Sequence, residues 1–184
     1  MIKNLVELDE EILRWVQEYL HSDILTPIMK GVTYSFNYGL LPFALSTAFL
    51  CFKKTRKLGI LCACSVAATF LIDNVIIKNI ADRIRPYESL QDILRLIAPQ
   101  SDYSFPSGHS ASAFTIATVI YKECSKKFGI PALIYASLVA LSRVYLGVHY
   151  PSDVITGAVT GALFAYITCL IYHKKFENKC KNKE

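Results

Sequence analysis

Charge is scarce in this chain of 184 residues: 19% is Asp, Glu, Lys or Arg, against 53% hydrophobic residues. That balance excludes intrinsic disorder, because so much apolar surface has to be buried somewhere. Glycine and proline are few, 8 and 7, and follow no period, which excludes a collagen-like or low-complexity chain. The six cysteines (Cys51, Cys62, Cys64, Cys124, Cys169 and Cys180) form no Cys-x-x-Cys pair, and no histidine stands at zinc spacing. No metal site is expected from them. They read as reduced thiols that face lipid or the cytoplasm. The first residues lack a basic start followed by an apolar run, so they do not read as a cleaved signal peptide. There is no internal repeat and no linker, and the length suits a single domain, 1–184.

What the chain does have is long apolar blocks: 24–52, 58–77, a shorter one at 110–121, 128–146 and 152–172. A helix needs roughly 20 apolar residues to cross the hydrocarbon of a bilayer. The third block reaches that length only with its polar start, Ser107 to Ser110. Rich in Ala, Ser and Thr, it is expected to pack inside the bundle rather than face lipid. Twelve of the 20 basic residues fall in three clusters, Lys53 to Lys57, Lys122 to Lys127 and Lys174 to Lys183. A nucleic-acid binder would line a folded face with such charge and would not need the apolar runs between them. Here the clusters follow blocks one, three and five, so they share one side, which the positive-inside rule assigns to the cytoplasm, together with the C-terminus. The connections 78–109 and 143–151 then share the opposite side. The expected fold is all-α: an integral membrane bundle of about five transmembrane helices.

Two amphipathic segments accompany the bundle. In residues 1–21, Leu5, Leu8, Ile12, Trp15, Val16 and Tyr19 recur at helical spacing among acidic residues, which predicts an N-terminal helix lying in the membrane interface. In 89–98, Ser89 and Asp92 read as a capping box, and Leu90, Ile93, Leu94 and Ile97 recur at i, i+3, i+4 and i+7. That pattern predicts a short outer-loop helix.

Three polar islands interrupt the apolar pattern, all on the side opposite the basic clusters. The first is Lys78 with Arg85 and Pro86, the second Pro106, Ser107, Gly108 and His109, and the third Ser142, Arg143, His149 and Asp153. Lys78, Arg85 and Arg143 are three cations at helix ends without a matching cluster of carboxylates. Like charges repel, so their gathering makes sense around an anion. Arg offers a planar fork to phosphate oxygens and Lys a point charge. Ser107 and Gly108 begin a helix, where free backbone N–H groups favour anions and a residue without a side chain lets the ligand approach. Together these point to a phosphate-binding site.

His149 and Asp153 are four residues apart, with Pro151 suited to a first helical turn. Asp153 can accept a proton from one ring nitrogen of His149, which fixes the tautomer and frees the other nitrogen to attack. His109, beside the phosphate cradle, is expected to be protonated and to give its proton to the leaving oxygen. The expected intermediate is a phosphohistidine on His149, hydrolysed by water with His109 as base. No metal or other cofactor is called for, because the cations neutralise the developing charge. His21 and His173 read as ordinary interfacial histidines. Asp73, inside the second block, could pair with a cation of the site or bond within the bundle, and its neighbour Asn74 is equally open.

The three islands resemble, position by position, the motifs of the type-2 phosphatidic acid phosphatase superfamily, which also holds bacterial acid phosphatases and vanadium haloperoxidases. All eleven fixed positions are present and in order across residues 78–153. The resemblance implies His149 as nucleophile, His109 as general acid, Asp153 as orienting partner, and Lys78, Arg85, Ser107, Gly108 and Arg143 as phosphate ligands. Pro86, Pro106 and Ser142 complete the motifs. Many membrane members have six crossings, one more than is counted here. The small size is similar to bacterial members that act on undecaprenyl diphosphate or phosphatidylglycerophosphate, and phosphatidate is a further candidate. The expected function is therefore hydrolysis of a lipid phosphate at the outer leaflet of a bacterial cell membrane. Its partners would be substrate and membrane lipids, with no nucleic acid and no obligate protein. The alternatives are a phosphatase for a small soluble ester and a non-catalytic headgroup binder or flippase.

Overall fold

The structure, a computed structural model, describes the backbone of residues 2–181 and the side chains of residues 4–175. Cys180 and the last three lysines of the third basic cluster lie outside the described side chains. Among the described residues every regular element is helical.

Helix α7 (Gly108–Glu123) is the centre of the bundle. Its Ala, Ser and Thr residues are buried on most sides, as expected for a segment too polar for lipid. It packs against α8 (Lys126–Tyr145), α9 (Pro151–Lys181) and α4 (Arg56–Phe70). The approach to α9 is close because of two glycines one turn apart. A Cβ on Gly157 would run into the carbonyl of Ser107, and one on Gly161 into the backbone of Ala111. Small residues at this spacing let helices touch backbone to backbone. The rod beginning with α4, α8 and α9 are each long and apolar enough to cross a membrane, and their outward faces are apolar.

Two features break the regular rods. The first apolar block is not one helix but two, α2 (Leu25–Tyr34) and α3 (Leu40–Cys51). Between them Tyr38 and Gly39 take left-handed backbone angles, φ 53° and 67°, which reverse the local winding. Further on, α4 continues through a π-helical stretch, Leu71–Ile77, into the short α5 (Lys78–Ala81). Asp82, again left-handed, ends α5.

Helix α1 (Ile2–Leu20) lies across the bundle end. Its Leu13 is fully buried against Ile93, Ala140, Val144, Tyr150 and Val154, while Leu8, Ile12, Trp15 and Tyr19 stay exposed. One stripe thus docks on the bundle and another faces outward, so α1 is more than an interfacial float.

The expected helix over 89–98 is largely absent. A single turn, α6 (Pro86–Ser89), comes first, and the chain then runs as turn and coil to the start of α7. Ser89 does not cap a helix start; its hydroxyl donates to the Arg85 carbonyl at the end of that turn. Ile93 and Ile97 are buried as their spacing suggested, but the backbone finds partners elsewhere. The Gln17 side chain of α1 bonds both the N–H and the carbonyl of Leu94, each at 2.8 Å, and Leu96 donates to the Leu146 carbonyl. With external partners on offer, the segment has no need of its own helical ladder.

The two ends differ in charge. Lys57 pairs with Glu123 at 2.7 Å, and His173 meets the same carboxylate at 2.8 Å. The described members of the basic clusters thus lie toward one end and the three polar islands toward the other. His21 bonds the Tyr145 carbonyl at 2.8 Å. Cys62 and Cys169 are packed in the core rather than facing lipid.

Candidate active site

Each island reaches the site by a local backbone device. The extra winding of the π-helical stretch precedes Lys78, which is buried although it ends a membrane helix. Arg85 is extended, the conformation favoured before proline, and Pro86 starts the single turn of α6. Pro106 follows a cis peptide bond, and Ser107 precedes the first turn of α7 with its N–H held by the Asp153 carbonyl at 3.0 Å. Gly108 abuts Asn74; a Cβ there would lie 2.8 Å from the Asn74 Oδ1. Ser142 and Arg143 close the last turn of α8, where the Ser142 hydroxyl donates to the Val139 carbonyl. His149 sits in the loop before α9, and Asp153 lies in the first turn of that helix.

The residues converge. Lys78, Arg85, Gly108, His109, Arg143 and His149 line one cavity of about 780 Å³. Asp153 stands behind His149, fully buried. Its Oδ2 lies 3.5 Å from His149 Nδ1 and accepts from Ser104 Oγ at 2.5 Å and from the Tyr150 N–H at 3.0 Å. The other ring nitrogen, Nε2, is 3.3 Å from an Arg85 nitrogen. The imidazole of His149 is buried among Arg85, Arg143 and Lys78; burial first, then these cations, hold its pKa well below the ordinary value. These surroundings favour the neutral ring. Ser107 is the exception among the expected ligands: its side chain is buried and accepts from Ser110 rather than lining the cavity.

Several site residues were not foreseen. Asn37, at the break between α2 and α3, places Oδ1 2.9 Å from His109 Nε2. Thr33 accepts from Arg143 at 2.6 Å, while the buried Nε of Arg143 has no partner among the described residues. Asp102 supplies one carboxylate to cations expected to have no matching cluster of them. It bonds Lys78 and Arg85 at 2.6 Å each, and its backbone carbonyl takes the Arg85 Nε. Burial pushes its carboxyl up, but Lys78 and then Arg85 outweigh this and bring it down to about 2. No spacing rule marks Asn37 or Asp102, because each arrives from a separate segment of the fold. Asp73 bonds within the bundle, accepting from Thr160 at 2.6 Å.

Away from the polar end the cavity continues between α3 and α4 along Pro42, Phe43, Leu50, Val66 and Phe70. It therefore joins an anion-attracting pocket to an apolar channel. Among the described residues no group of three or more His, Cys, Asp and Glu side chains could hold a metal ion. The chemistry on offer is that of two imidazoles, a carboxylate and three cations.

Known proteins resemble this chain in sequence and fold. Residues 57–177 match the PAP2 superfamily. The chain is 35% identical over 122 residues to an undecaprenyl-diphosphatase of Sulfolobus acidocaldarius, a match covering 66% of this chain and 59%, under two thirds, of that protein's length. It is 30% identical over 191 residues to phosphatidylglycerophosphatase B of Bacillus subtilis, covering 97% of this chain and 88% of that one. The crystal structure of a transmembrane PAP2-type phosphatidylglycerolphosphate phosphatase from Bacillus subtilis superposes with a TM-score of 0.78 at 28% identity, covering 93% of this chain and 87% of that one. Apolar helices, a cavity assembled from three spaced islands and a match over most of the bundle lead to one statement: the chain is a helical membrane protein of the PAP2 superfamily.

Proposed function

We propose that this protein is a lipid phosphate phosphatase that works through a phosphohistidine on His149. The observation that carries the reading is the two-part cavity. One end presents both histidines, Lys78, Arg85 and Arg143, and the other is an apolar channel between α3 and α4. A phosphorylated lipid has the same two parts. The unpartnered Nε of Arg143 adds to this, since a buried charged donor left unpaired is costly and a phosphate oxygen would satisfy it.

In the first step the lone pair of His149 Nε2 attacks phosphorus and the bond to the leaving oxygen breaks. His109 gives that oxygen a proton, while Asp153 accepts the Nδ1–H of His149 and stabilises its positive charge. The 3.5 Å gap to Asp153 closes when substrate is bound, as such contacts commonly do. In the second step water attacks phosphorus, His109 takes its proton, and the P–N bond breaks to release inorganic phosphate. The three cations hold the oxygens throughout, so the reaction runs without metal.

The names of the relatives support an undecaprenyl diphosphate or phosphatidylglycerophosphate class of substrate, beside which phosphatidate stands only on the motif resemblance. The site lies at the end opposite Lys57, Lys122 and Lys174, which supports an extracytoplasmic site and a cytoplasmic C-terminus. The whole chain, 1–184, acts as one embedded domain.

The test is phosphate release in detergent from a panel of lipid mono- and diphosphates and from a soluble ester, with His149→Ala as the blank. Lipid turnover well above that of the ester, lost in the variant, is expected. Equal rates on the ester would point to a soluble substrate. Lipid binding without release by either protein would point to a headgroup binder. Turnover should persist in excess chelator and stop with vanadate; loss in chelator with recovery on adding a divalent ion would overturn the metal-free route.

A further inference from the structure

Behind the nucleophile lies a charged network that ties Asp153 to residues outside the motifs. Arg83, two residues before Arg85, donates through Nη1 to Asp153 Oδ1 at 2.6 Å and to Ser152 Oγ at 2.7 Å. Its Nη2 donates to Asp9 Oδ2 of α1 at 2.8 Å. The guanidinium lies over the Tyr150 ring, 3.9 Å from its centroid, and the Arg83 backbone carbonyl accepts the N–H of Ser104. Asp9 also accepts the Ser152 N–H at 2.9 Å and bonds the Ser152 hydroxyl. Asp9 is 5% exposed and Asp153 0%, so both carboxylates are shielded, while the Arg83 side chain between them keeps 23% exposure.

A buried ion pair is weak grounds for a stabilising role, since apolar replacements are often as stable. Its placement says more. Asp153 uses Oδ2 toward Ser104, Tyr150 and His149, and Oδ1 toward Arg83. Apart from His149, Arg83 is the one charged side chain in the described structure within ion-pair distance of this carboxylate. A carboxylate so enclosed keeps its charge only when paired, and it must be charged to accept the Nδ1–H of His149. Asp9 fixes the guanidinium by taking its second nitrogen.

We propose that Arg83 is a positioning residue of the catalytic relay, acting on His149 through Asp153, and that Asp9 orients Arg83. The N-terminal helix is then part of the active-site apparatus. The proposal rests on the phosphatase reading and deepens it.

The sign of the expected effect is set by the charges around the pair. Asp153 faces Arg83, with Asp9 behind it; His149 faces Arg85, Arg143, Lys78, Asp102 and His109. Asp153 and His149 together hold one proton too many for reaction at low pH. Removing a cation strengthens that hold whichever atom carries the proton, and removing an anion weakens it. In Arg83→Gln the acid limb of kcat/KM should therefore move to higher pH, with kcat down roughly 100-fold and KM little changed. In Asp9→Asn the limb should move the other way, with a smaller loss of kcat. Arg83→Lys keeps the charge and should keep the limb near its original place.

The experiment is this set of pH profiles on the full chain in detergent, joined to nitrogen NMR titration of the His149 ring in the same proteins. Opposite shifts for Arg83→Gln and Asp9→Asn support the proposal. Reduced yield or Tm with kcat, KM, limb and ring titration all unchanged would reduce the network to a structural tie and overturn it. Should Arg83→Gln not fold, Arg83→Lys and Asp9→Asn still decide. The NMR arm reads the coupling even if wild type releases no phosphate, so failure of the phosphatase reading is distinguishable from failure of this one.

Discussion

The Asp102 carboxylate lies 2.6 Å from the Lys78 ammonium, and its other oxygen is equally close to Arg85. It stands where two cations would hold the substrate phosphate. A phosphate that took these two positions would displace it.

Asp102→Asn is therefore expected to bind phosphate more readily, with inhibition by inorganic phosphate or vanadate tightened by about tenfold, the scale of one charge-assisted bond. Without phosphate the variant should melt lower, because two cations lose their counter-charge, and added phosphate should restore much of the loss. The pH dependence has a definite sign. The carboxyl titrates at about 2 in the folded protein, below its usual range. Its contribution is complete above that range and disappears as the pH falls toward 2, so wild-type Tm should drop across this interval more than that of the variant.

His149→Ala should abolish phosphate release while lipid binding is kept. In the wild type the depressed pKa of His149 places the acid limb of kcat/KM below the ordinary imidazole value of about 6.5. In the complex with phosphate, whose negative charge favours the protonated imidazole of His109, the kcat profile should also fall at alkaline pH as that proton is lost. A rate that rose without limit toward high pH would contradict the role given to His109.

Asn37→Ala removes the acceptor 2.9 Å from His109 Nε2. One hydrogen bond of this kind is worth about 1 kcal/mol, so kcat should fall roughly five- to tenfold. The lost acceptor favoured the N–H form, so the alkaline limb should move to lower pH. Asn37→Asp, which adds an anion, should move it to higher pH.

Gly161→Ala sets a methyl group against the backbone of Ala111, where neither helix can yield without shifting. The expected loss of about 1–3 kcal/mol should appear as a lower Tm in detergent. A neighbouring substitution on the lipid face, such as Ile155→Ala, should change Tm far less, since Ile155 is 63% exposed in the described structure.

What could be read from the sequence was what lies close along the chain. His149 and Asp153 are neighbours on one turn, Ser107 to His109 are contiguous, and Lys78 and Arg85 flank one helix end. Their convergence could be inferred from charge repulsion and sidedness. Asn37, Asp102 and Asp9 could not, because each comes from a different segment and meets the site only through the packing of the bundle; Arg83 lies within the first island, but its contacts with Asp9 and Asp153 exist only in the packed fold. The stretch 89–98 shows the opposite error. Its periodicity correctly marked Ile93 and Ile97 as buried, yet periodicity reports which side chains are covered, not where the backbone bonds. Gln17 and Leu146 supply those bonds from elsewhere. The break at Tyr38 and Gly39 was hidden inside a continuous apolar run, where hydropathy carries no record of backbone handedness.

The wide turns from Leu71 to Ile77 act as a phase adjuster. A π-helical turn holds one residue more than an α-helical turn, so the helix beyond it is rotated by about 100° relative to an uninterrupted rod. That rotation lets Asp73 meet α9 while Lys78 meets the cavity from the same helix. Removing a single residue from the stretch would leave a straighter and more regular helix, with every later side chain aimed at the wrong neighbour. The irregular count is thus what sets the azimuth of Lys78.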